Sequence, residues 1–271
     1  MKIRLIVHID FSLNTELLLN HAFIWANAMG ARLLLVHQVQ LLLPSLTDIQ
    51  TRSEILRNEK KMAEEKINYL LNRLPQSQYF PIGIKVFKHS LLLKTQKLIA
   101  EGDILFMLYP NKIGLNFLHD NGFEFNAAKV LPIPIIILPQ EYNLSLPLKF
   151  FIGVKNINTL NIRALNLILN KLNYLNIKLI FFTIIDSDVK NDKTDLKPLT
   201  KSYAENFEVY DHSFVDKNAN VLMRSLITPK GGEILLVQKE NKSCIGHLFN
   251  KSTINTLLRE RKTPMIILPE I

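Results

Sequence analysis

The side chains of this 271-residue chain that could do chemistry are few and widely spaced. Asp10 closes the apolar run Leu5-Ile6-Val7-His8-Ile9. A carboxylate there stands at the carboxyl end of an expected strand, where open α/β sheets bind ligands, and could accept from a ribose hydroxyl or a base edge. The same residue would equally serve as a turn former or helix cap. His8, His37 and His89 fall on or at the ends of three expected neighbouring strands and could bind zinc if their rings converged. Strand side chains alternate between faces, however, and the spacing gives these three no reason to meet. Cys244 has Lys242 and His247 close by in sequence, cations of the kind that activate a thiol; read plainly, it is a small loop residue. Asp186, Asp188, Asp192 and Asp195 lack the central Gly and terminal Glu of a calcium loop.

Scarcity of glycine narrows the chemistry further. There are nine glycines, no two of them three or five residues apart, so GxxG, GxGxxG and GxxxxGK are all absent. Loops of those patterns bring bare backbone N–H groups against phosphates. Nucleophile elbows, HExxH and nucleotidyl-transfer signatures are missing as well. These absences lead us to expect a protein that is not an enzyme, with no bound metal. One cysteine excludes an internal disulfide and a cysteine metal cluster. The net charge of +9 is scattered, and its densest stretch, Arg57 to Lys61, is interleaved with Glu59, Glu64 and Glu65. Such mixtures at helical spacing form solvated faces, so a nucleic-acid partner is not expected. Apolar runs fall far short of the ~20 residues of a membrane helix, and the start of the chain lacks a cleavable apolar leader. The expectation is a soluble, cytoplasmic protein without a membrane partner.

The elements that would position these residues come in two sets. Gly102-Asp103-Ile104-Leu105 recurs as Gly232-Glu233-Ile234-Leu235, and Pro134-Ile135-Ile136-Ile137-Leu138-Pro139 as Pro264-Met265-Ile266-Ile267-Leu268-Pro269, both at an offset of 130 residues. The fronts match more loosely, Ile6 to Asp10 against Phe151 to Lys155. Two copies of a unit of roughly 135 residues are within ordinary domain size. We place the domains at 1–140 and 148–271, with Glu141 to Pro147 as linker. Each copy alternates short apolar runs with helical patterns, the signature of βαβ units and a parallel sheet. In the first copy the strands are Leu5 to Ile9, Leu33 to His37, Ile84 to Phe87, Ile104 to Leu108 and Ile135 to Leu138. The first helix carries Leu18, Ala22, Trp25 and Met29 on one face, is capped by Ser12 or Asn14, and ends at Gly30. A long helix from about Thr51 to Leu74 turns Ile55, Met62, Ile67 and Leu71 inward, and Leu91 to Ala100 is a short one. In the second copy the strands are Phe150 to Val154, Leu179 to Ile184, Phe207 to Phe214, Ile234 to Val237 and Ile266 to Leu268. Its helices are Asn161 to Tyr174, Leu199 to Asn206 and Ala219 to Ile227, with a loop from Asp186 to Asp195 in place of the long helix.

In order and spacing, three stretches together resemble the universal stress protein family: Leu5 to Ser12 with its Asp-Phe-Ser turn, Ala26 to His37, and Gly102 to Met107 with Pro132 to Pro139. The resemblance covers nearly the whole chain as two tandem copies. It implies an α/β fold of two tandem doubly wound, Rossmann-like five-stranded parallel sheets, strand order 3-2-1-4-5, paired through their fifth strands into an intramolecular pseudo-dimer that could dimerise further. Family members that bind ATP use an Asp at the end of the first strand and a Gly-x-x-Gly loop followed by Gly-Ser or Gly-Thr. Here Asp10 is kept, but Leu108 and Asn111 stand at the two glycine positions and Asn121-Gly122 follows, with Gly114 between. The second copy reads Lys155, Gln238, Asn241 and Lys251-Ser252. The resemblance therefore implies a vestigial nucleotide crevice at Asp10, Val39, Asn111, Gly114 and Gly122, no cofactor, and a stress-response role carried by an unknown protein partner. The alternative it leaves is a stress sensor that binds ATP weakly through the first copy alone.

Overall fold

The structure, a computed structural model, describes residues 3–39, 47–88, 90–108, 127–128, 130–185, 195–215, 232–238 and 262–270. The chain divides into two compact units, Met1–Phe106 and Met107–Ile271. The expected loop over residues 186–194, the helix over 219–227 and most of the segment 109–130 lie outside the described residues.

The first unit runs β1 (Arg4–His8), α1 (Thr15–Met29), β2 (Arg32–Gln38), α2 (Ile49–Asn72), β3 (Ile82–Phe87), α3 (Leu91–Leu98) and the start of β4 (Asp103–Leu108). Its strands pair in parallel in the order β3-β2-β1-β4. Leu5, Ile6 and Val7 are wholly buried, as a strand covered on both faces requires. Helix α1 buries the expected Leu18, Ala22, Trp25 and Met29. It ends in a Schellman turn: Gly30, at φ 58°, donates to Asn27 while Ala31 donates to Ala26. Helix α2 begins where Asp48 accepts from the Thr51 amide at 2.8 Å. Its buried stripe is Ala63, Ile67 and Leu71. Met62 is 59% exposed, against expectation. The stripe follows the four-residue ridge through Ala63, and Met62 lies about 100° away around the helix.

The second unit contains β5 (Ile135–Leu138), β6 (Lys149–Gly153), α4 (Ile162–Leu172), β7 (Lys178–Ile185), α5 (Lys197–Tyr203), β8 (Glu208–Val215), β9 (Glu233–Gln238) and β10 (Met265–Leu268). Parallel pairs give the order β8-β7-β6-β9-β10, the expected 3-2-1-4-5. β5 joins β10 antiparallel. β5 belongs with β10 to the unit Met107–Ile271.

The recurrent Gly-acid motif has a physical cause in each unit. Gly102 and Gly232 both take positive φ, 93° and 69°, which a side chain resists. Their carbonyls accept from Arg4 and Lys149, the first residues of β1 and β6. The acids that follow pair with those same bases. Asp103 holds Arg4 through two contacts, Nε at 2.9 Å and Nη2 at 2.5 Å, and Glu233 holds Lys149 at 3.3 Å. No described helix is long and apolar enough to cross a membrane.

Candidate functional site

In the first unit the carboxyl ends of β1 and β2 bring Asp10, His37 and Val39 to one edge of the sheet. Ile9 and Val39 still donate along the ladder, to Val36 and Phe87, each at 2.8 Å. Asp10 is exposed just beyond β1. Its Oδ1 accepts from the Ser12 amide at 2.9 Å and from Thr15 Oγ1 at 3.4 Å. The carboxylate thus organises the turn into α1. Asn14 takes the cap position but makes no side-chain capping bond, and Ser12 Oγ accepts only a long bond from the Asn14 amide. Neither expected cap bonds a helix amide through its side chain, and Asp10 fastens the preceding turn as Asx residues do.

Phe11, between them, has φ 56°, an outlier for a bulky residue. Its ring lies against His37, centroids 4.4 Å apart, and Lys66 Nζ from α2 stands 4.3 Å from its centre. Nothing in the sequence pattern marks this stack, because Lys66 reads as one more charge on a solvated helix. His37 Nδ1 is 2.7 Å from the Ile9 carbonyl, so that nitrogen carries the proton and donates. Burial pushes His8 down to about 4, with Asp10 opposing and His37 adding to the shift. Among the described residues no three His, Cys, Asp or Glu side chains could hold a metal ion. His89, Cys244, Asn111, Gly114 and Gly122 lie outside the described residues.

The second unit fills the corresponding edge with its own amide groups. Gln238, the last residue of β9, is 8% exposed. Its Oε1 accepts from the Asn161 backbone amide at 2.5 Å, and its Nε2 donates to the Thr159 carbonyl. Asn161 in turn caps α4, Oδ1 accepting from Ala164 at 2.9 Å, and its Nδ2 donates to the carbonyls of Pro269 and Glu270 just past β10. A helix start at the carboxyl edge of a parallel sheet is where such folds hold anions. Here a neutral side-chain oxygen already takes the amide offered there. In the first unit Gln38 does related work at the end of β2, its Oε1 accepting from Leu91 at the start of α3, 3.0 Å away. Lys155 follows β6, half-buried. Gln238 thus sets a buried, hydrogen-bonded side chain at the carboxyl end of β9.

No family model matches the chain, and no curated protein matches it either. Solved structures do. A universal stress protein from Archaeoglobus fulgidus superposes with a TM-score of 0.69 at 13% identity, covering 98% of each chain. A putative universal stress protein from Pseudomonas aeruginosa gives 0.55 at 12%, over 100% of this chain and 94% of the other. The cytoplasmic domain of a prokaryotic cation chloride cotransporter gives 0.50 at 13%, over 98% and 95%. At this level of identity the likeness establishes the fold: α/β, mostly parallel, over nearly the whole chain.

Proposed function

We propose that this chain is a cytoplasmic protein of universal stress type that acts by contact with other proteins and not by catalysis. On this reading its two copies form an intramolecular pseudo-dimer on a fold inherited from nucleotide binders. The observation that carries it is Gln238, whose side-chain amide is engaged within the fold by the Asn161 amide and the Thr159 carbonyl. Support comes also from Asp10, whose carboxylate is engaged by its own turn. That one neighbour in fold is the cytoplasmic domain of a cotransporter fits a module that works through its surroundings. A second reading, a nucleotide sensor using the first unit alone, draws on the exposure of Asp10 at the sheet edge.

Isothermal titration of ATP and ADP with Mg²⁺ decides between them, with Asp10→Ala as control. The interaction reading expects no binding tighter than about 1 mM, equivalent to roughly 4 kcal/mol. A micromolar dissociation constant abolished by Asp10→Ala would overturn it in favour of the sensor.

A further inference from the structure

Strand β8 is an edge strand among the described residues. It runs parallel to β7 through eight consecutive partners, Lys178 with Glu208 to Ile185 with Val215, with no bulge. Among the described strands it has no neighbour on its other side. Asp211, His212 and Ser213 are exposed in mid-strand, and Tyr210 is 44% exposed. Its sequence, Glu-Val-Tyr-Asp-His-Ser-Phe-Val, contains no Lys, Pro or Gly and is rich in residues that favour strands. Natural edges are blunted by charged residues, lysine above all, by proline or by bulges, and of these β8 has only the carboxylates Glu208 and Asp211. Strand β3 follows that rule, with Pro81 before it and exposed Lys85 within it.

We propose that β8 docks a second copy of this chain, antiparallel, with its two-fold axis at His212. A two-fold axis perpendicular to a sheet leaves every side chain on its own face, so the residue on the axis must face its own counterpart. Centred on His212, Tyr210 stands opposite Phe214 of the second copy, and the pair occurs twice. Aromatic cross-strand pairs of this kind stabilise antiparallel ladders. Centred one residue earlier, on Asp211, the same operation opposes two carboxylates and sets Glu208 against Phe214 of the second copy. Of these two registers the one centred on His212 is favoured. The chain uses the same device internally, where β5 and β10 pair antiparallel about Ile136 and Ile266. Such a contact is isologous and closes at two chains, so β8 itself offers no edge for further growth.

Sedimentation velocity of the full chain from about 1 to 100 µM tests this, a range that brackets a micromolar dissociation constant. The expected result is a monomer that converts to a dimer as concentration rises. His212→Lys sets like charges directly opposite and should weaken the dimer by about tenfold or more. His212→Gln should leave it nearly unchanged, and both variants should melt like the wild type when dilute. A monomer at every concentration overturns the proposal, as does a dimer indifferent to His212→Lys. So does a monomer that instead binds an added peptide of residues 208–215, which would make the edge a receptor for extended segments.

Discussion

Ile136 and Ile266 face each other across the antiparallel pair of β5 and β10. They also stand 130 positions apart in sequence, each the third residue of a similar six-residue segment. Ile135 then faces Ile267, and Ile137 faces Met265, so the ladder is symmetric about the central pair. An unpaired fifth strand of four buried aliphatic residues would be a template for aggregation. The chain covers that edge with its own second copy of the strand.

Both isoleucines are wholly buried, so Ile136→Ala and Ile266→Ala should each cost about 2–5 kcal/mol. Because they are cross-strand neighbours, the double variant should depart from additivity by about 0.2–1 kcal/mol. Urea titration of the four proteins gives the cycle. Strict additivity would mean that the two side chains do not touch in solution.

Gln238→Ala should destabilise the protein by about 1–3 kcal/mol, the cost of leaving the Asn161 amide and Thr159 carbonyl without their partner. Hydrogen exchange should speed up at the start of α4 and leave α1 unchanged. Uniform acceleration, or none, would show that the side chain is not the cap.

The two Gly-acid motifs predict unequal ion pairs. Asp103 is 3% exposed and also accepts from the Ala100 amide, so Asp103→Ala leaves Arg4 without its buried counter-charge. That should cost about 3 kcal/mol or more. Lys149 is 43% exposed, and Lys149→Ala should cost about 1 kcal/mol or less. Thermal melts rank the two, and equal losses would contradict the burial that separates them.

His8 makes stability depend on pH. Its pKa is about 4 in the fold against 6.5 for a free side chain. As pH falls, the unfolded chain takes up the proton first, so stability begins to drop near pH 6.5 and the loss levels off near pH 4. The full effect is on the order of 3 kcal/mol. His8→Gln should flatten that part of the stability curve, measured by urea midpoints from pH 7 to 4. An unchanged slope would assign the loss to other groups.

The strands were legible because buried parallel strands are continuous apolar runs, as Leu5 to Val7 and Ile135 to Leu138 are, and because Gly30 and Asn161 punctuate helices by known rules. The repeat was legible because Gly102 and Gly232 are fixed by positive φ and the acids after them by their bases. Met62 misled because one apolar residue on a helix mostly charged around it does not define a face; Ala63, too small to stand out, does. Gln238 looked only like a missing glycine, since its partner Asn161 is 77 residues away. Phe11 was silent for a related reason: its strain and its contact with Lys66 depend on where α2 passes, which no local pattern records.

Gln238 is in effect a tethered ligand. A dissolved anion at the start of α4 would stabilise the unit in proportion to its concentration, and the fold would report on that metabolite. A side chain carried on β9 is present at a fixed, high effective concentration and cannot be diluted away. At this one position the start of α4 is satisfied by the chain itself and not by the surrounding solution.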